Sequence, residues 1–142
     1  MSRMIRIYAD HDGESHLETL ELSVVNPPSP GASGGMIPAS GQPVLRAYPA
    51  SGPGADWAVV DWHRARGKTF VVAISGSIEV EVSDGRRMAI GTGDLVYLED
   101  TTGKGHVTRL RGDVTNLFIP VGPGFDVLAW VENGGVPSTA PE

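Results

Sequence analysis

Cysteine is absent from this chain of 142 residues. Disulfides and thiolate metal sites are thereby excluded, and the composition fits a reducing compartment. Long apolar runs are missing too. None approaches membrane-spanning length, and the basic Arg3 leads into a short β-like run over 5–8 rather than into the apolar stretch of a secretory leader. A cytoplasmic protein with no membrane partner is expected. Cations are in short supply: 11 Lys and Arg stand against 17 Asp and Glu, for a formal net charge of -6. They are scattered rather than striped. A surface of this sign repels phosphate backbones, so no nucleic-acid partner is expected. No stretch repeats its apolar residues convincingly at helical spacing.

What is present is a dense set of chain breakers, Gly 19 and Pro 11, with short apolar runs between them. The length suits one domain with a real core. Breakers at this frequency point to an all-β domain. Strand patterns cover 4–8, 44–48, 58–60 (leading toward Trp62-His63), 69–75, 78–82, 86–90, 95–98, 105–110, 114–121 and 125–130, and 17–22 is either a strand or a short amphipathic turn. Asp84-Gly85 marks a hairpin. Gly76 ends the run before it, Gly91 to Asp94 forms a turn, and Gly112-Asp113 separates two strands. Residues 26–42 alternate Pro and Gly and cannot form a central strand. A surface loop is favoured there over a lid. The expected layout is N-terminal strands plus this loop over 1–42, a β-barrel over 43–131 and a loose tail over 132–142.

Trp62-His63, the run Phe70 to Val80 through Gly76, and Gly91-Thr92-Gly93-Asp94 followed by Leu95 to Leu98 resemble a small single-domain bacterial cupin, over about 57–121. The stretch Asp100 to His106 resembles one branch of small cupins with mostly unassigned function. The resemblance implies a jelly-roll β-barrel, commonly a homodimer, with a small-molecule site inside the barrel. It carries over only in part. His63 falls at the first histidine of the first cupin motif, Ala65 at the second, and Thr69 at the carboxylate. Gly93-Asp94 and His106 match the second motif, and Leu110 replaces its asparagine. At most two of four metal ligands remain. Two imidazoles give weak, exchangeable binding of a divalent ion, so no tightly held cofactor is expected. Any metal would sit on His63 and His106.

Histidine suits acid–base work near neutrality, and His63 and His106 are the candidate catalytic pair. The alternatives are a histidine satisfied by a carbonyl at 63 and one tying down a loop at 106. Arg46, Trp62, Thr69 and Tyr97 are candidate substrate contacts, although an outward Arg46 is the simpler reading. Asp100, Thr101 and Thr102 read as a turn held by side-chain to backbone bonds. His11 and His16 read as a polar surface turn, and Glu79 with Glu81 as a solvated or partner-covered face. The functional expectation is proton-transfer chemistry of isomerase, lyase or cyclase type on an organic metabolite. The alternatives are a metal-dependent enzyme of dioxygenase type and a non-catalytic ligand-binding or assembly module.

Overall fold

The computed structural model describes residues 2–22, 37–48 and 57–133. Eight strands are followed by one short helix: β1 (Ser2–Ala9), β2 (Ser15–Leu22), β3 (Val44–Tyr48), β4 (Ala58–His63), β5 (Thr69–Val82), β6 (Arg87–Ile90), β7 (Leu95–Leu98), β8 (His106–Pro120) and α1 (Val127–Glu132). They form one mixed sheet in the order β2-β1-β7-β5-β8-β3, with β4 added to β8 and β6 to β5. The pairing of β1 with β7 is parallel. Both N-terminal strands thus belong to this chain's own sheet.

Two long strands give the sheet its shape. The sequence places breaks at Gly76 and at Gly112-Asp113, yet β5 and β8 each run through them. Glycine bends these strands without ending them. Gly76 has φ +84° and lies against Val114 and the Asp113 carbonyl, where a Cβ would collide with backbone. The β5–β8 register shifts on both sides of Ser75, and such bulges increase local twist and bend. The first half of β5 pairs with β7, and its second half with β6. The first half of β8 pairs with β4, and its second half with β3. The result is two wings sharing two strands.

Inner faces of the wings pack together. Ile5, Ile7, Val71 and Val96 of one wing share a core with Ile78, Val80 and Ile90 of the other. Alternation sends the neighbouring residues Met4, Phe70 and Tyr97 to the outer face of the first wing, where Val127 and Trp130 of α1 cover them.

This is a mostly β arrangement. The expected closed barrel is corrected: among the described residues, β2 and β3 end the hydrogen-bonded path and do not pair with each other. The strand expected over 125–130 is also corrected to a helix. Asp126 caps it, accepting from the Ala129 N–H at 3.2 Å. Val127 and Trp130, three residues apart, are the buried pair. Of the Pro/Gly-rich loop, residues 26–36 lie outside the described residues. Its end is tied to Val121, just past β8, by an Ala39–Val121 bridge. Of the tail, 134–142 lie outside as well.

Candidate active site

Between the wings lies a cavity of about 570 Å³, partly open to solvent. Its walls are largely apolar, with Val71, Ile78, Val80, Ile90, Val96 and Leu98 among them. Polar side chains enter from β3, β4, β5 and β8 and from the β4–β5 connection.

His63 and His106 are two of them. They are direct cross-strand partners on β4 and β8. Their rings lie 4.3 Å apart at an angle of 59°. A bulge makes this possible. Val60 pairs with Thr108 and His63 with His106, so three steps on β4 span two on β8. In a regular strand with Val60 facing inward, Trp62 would follow it inward and His63 would face out. The extra residue reverses that parity. Trp62, a candidate substrate contact, is therefore off the cavity wall and 47% exposed.

Each imidazole is anchored through the same nitrogen. His63 Nδ1 donates to the Asp61 carbonyl at 2.7 Å. His106 Nδ1 meets Asp100 Oδ2 at 2.5 Å, and both side chains are buried. With Nδ1 occupied as donor, Nε2 carries the lone pair in each neutral ring. Asp100 corrects the expected turn: its carboxylate is fully buried on His106 rather than bonded to its own backbone. Its backbone carbonyl accepts from Ala65 N–H at 3.2 Å, which ties the two histidine-bearing segments together.

The loop before His106 explains its glycines. Gly105 has φ +76° and packs so closely on the His63 carbonyl that no Cβ fits. Its carbonyl accepts from the buried Ser15 hydroxyl at 2.6 Å. Lys104 N–H donates to the Gly13 carbonyl at 2.9 Å, and its ammonium pairs with Glu14. The β1–β2 turn thus braces the loop that carries His106.

Thr69 and Arg46 also line the cavity. Arg46, for which an outward position is the simpler sequence reading, is exposed and also lies at the cavity wall, stacked on Phe118 with 5.1 Å from guanidinium to ring centroid. Tyr97 is not on the wall. It is fully buried on the opposite face of the sheet, its hydroxyl unpartnered, and burial pushes its phenol well above the usual range. The sequence reading missed Asn116, which lines the cavity at 5% exposure with an unpartnered Oδ1. Its even-number phase with His106 and Phe118 on β8 was the available signal. His16 bridges Asp10 and Asp84 away from the cavity. Glu79 and Glu81 pair with Arg87 and Arg109.

A resident metal of the kind cupins hold needs three or four protein donors. The two Nε2 atoms supply two. Ala65 offers none, and Asp100 engages His106 through Nδ1, away from Nε2. Among the described residues no group of three His, Asp or Glu gathers to hold an ion. These residues do not fit such a metal.

No family model matches the sequence, and no curated protein matches it. Solved structures are similar to it, two of them as follows. One is a protein from Neisseria meningitidis, with TM-score 0.39 and 18% identity, covering 56% of this chain and 72% of that one. The other is FeII HppE in complex with substrate, with TM-score 0.37 and 14% identity, covering 56% of this chain and 44% of that one. Likeness at this level carries no statement about what the chain does. No helix among the described residues is long and apolar enough to cross a membrane.

Proposed function

We propose that the chain is an enzyme that moves protons on a small organic metabolite, with His63 and His106 sharing the acid and base roles. One observation carries this reading: both rings are anchored through Nδ1, and both belong to the wall of one cavity. An imidazole held this way presents Nε2 to a substrate in a fixed orientation. The buried Asp100 supplies a countercharge whenever His106 takes a proton, the role a carboxylate plays behind a catalytic histidine. His63 has only a carbonyl behind it. The two environments differ, which is what a division into acid and base requires. Chemistry of isomerase, lyase or cyclase type needs no more than this.

The test is solvent isotope exchange. The protein is incubated in heavy water with a mixture of small carbonyl and hydroxy compounds, and loss of C–H signal is followed by NMR. Wild-type protein should exchange at least one compound, and His63→Gln and His106→Gln should each slow it by about 10²-fold or more. Exchange no faster than with free imidazole, or unchanged in both variants, would overturn the reading.

A further inference from the structure

Among the described residues, cations without counter-ions line the cavity. Arg46, Arg64, Arg66 and Lys68 belong to its wall, and no described Asp or Glu does. Lys68 donates to the Phe125 carbonyl at 2.9 Å. The three arginines form no ion pair among the described residues. Shortage of acid is not the cause, because carboxylates outnumber cations in this chain. Elsewhere Arg3 pairs with Asp94, Arg6 with Glu18 and Glu99, and Arg87 and Arg109 with Glu79 and Glu81, whereas Arg86 bonds the Leu17 carbonyl and Arg111 lies over Trp57. Unneutralised guanidinium beside a concave apolar wall favours an anion.

A second, independent observation stands next to the first. Arg46 and Asn116 are register partners in the β3–β8 pair, so their side chains share a face. Asn116 is buried, 5% exposed, and its Oδ1 accepts no hydrogen bond from the described residues. A buried acceptor without a donor is unusual in a folded protein and is a natural contact for a ligand. Stacking on Phe118 orients the Arg46 guanidinium without removing its charge.

We propose that the cavity takes a small hydroxy carboxylate. Arg46 receives the carboxylate in a two-pronged hydrogen bond. The ligand's hydroxyl donates to Asn116 Oδ1. Arg64 and Arg66, exposed at the rim, add attraction for the anion. The carbon skeleton lies against Val71, Val96, Leu98 and Phe118. Inorganic phosphate has no carbon body to meet that wall. An amino acid would bring its ammonium beside Arg46, whereas a hydroxyl brings a donor without charge. This assignment rests on the acid–base reading, because it names what the two imidazoles act on.

The test uses 2-hydroxy carboxylic acids graded from lactate to mandelate, each beside its methyl ester and its deoxy analogue, with inorganic phosphate as a further arm. Binding is measured by calorimetry, and its place by the Asn116 side-chain amide signal in NMR. At least one acid should bind and shift that signal. Its ester, its deoxy analogue and its affinity for Arg46→Gln should each be weaker by about tenfold or more. Arg64→Gln, at the exposed rim, should weaken it less. Equal binding of acid and ester, tighter binding of phosphate, or no acid binding below about 10 mM would overturn the assignment. The two readings fail separately. Arginine-dependent binding with isotope exchange indifferent to His63 and His106 would sink only the acid–base reading. Histidine-dependent exchange on neutral compounds alone would sink only this one.

Discussion

His106 and Asp100 form a buried pair in which one carboxylate oxygen meets Nδ1 and the other, Oδ1, has no partner. The pair is therefore a source of strain on stability as well as a device for aiming Nε2. Burying a charge is costly, and the geometry must be good for the attraction to repay it.

Removing one member should reveal that cost. Asp100→Ala is expected to destabilise the protein by about 3–5 kcal/mol in urea unfolding. The double variant Asp100→Leu with His106→Phe should lose much less than the sum of the single changes. Strictly additive losses would show that the two side chains are not coupled.

Gly105 is predicted to be intolerant of any side chain. Its φ of +76° disfavours L-residues, and a Cβ would strike the His63 carbonyl. Gly105→Ala should cost at least about 2 kcal/mol, measured by thermal or urea unfolding. A neutral substitution would mean that the loop does not pack on β4 as described.

Asn116 should show a trade between stability and binding. Its Oδ1 is buried without a donor, so Asn116→Leu removes an unsatisfied polar atom. The expected gain is about 1 kcal/mol in the ligand-free protein. The same variant should lose selectivity for a hydroxyl-bearing ligand. A marked loss of stability would assign Asn116 a structural bond instead.

His16 gives a pH signature remote from the site. Its ring bonds Asp10 at 2.7 Å and Asp84 at 2.9 Å, joining the β1–β2 turn to the β5–β6 turn. The bond to Asp10, then that to Asp84, holds the imidazole above its ordinary range. Asp10 is held low chiefly by His16. Burial acts to raise Asp84, but the Arg86 N–H and His16 outweigh it and hold it low. A raised histidine stabilises fully below its unfolded value of about 6.5, and that contribution is lost as pH rises through the folded value. The lowered carboxylates stabilise above about 4 and lose that contribution as pH falls through their folded values. The deficit of His16→Gln should therefore be larger at about pH 5.5 than at about pH 9. Equal urea midpoint shifts at both would contradict the bridge.

The period of two explains much of what the sequence disclosed and what it hid. Ile78, Val80 and Val82 alternate cleanly and do line one inner face. The same rule separates Tyr97 from Val96 and Leu98, and following it there would have removed Tyr97 from the site. The rule misleads on β4, because a bulge is not written in the residue types of Val60 to His63. The helix at Val127–Glu132 was hidden for another reason: six residues allow either period, and only the cap at Asp126 distinguishes them. Asp100 was hidden because a polar loop residue next to two threonines usually bonds its own backbone. Its partner is six residues away across a glycine-hinged loop, and only folding brings them together.

The account turns on which nitrogen each imidazole leaves free. Nitrogen-15 NMR of the histidine rings, recorded where the neutral forms dominate, reads this directly. His63 and His106 are both predicted to carry the proton on Nδ1 and the lone pair on Nε2, and a ligand in the cavity should shift both Nε2 signals together. Protonated Nε2 on either ring, or Nε2 signals that ignore every cavity ligand, would contradict the proposed chemistry.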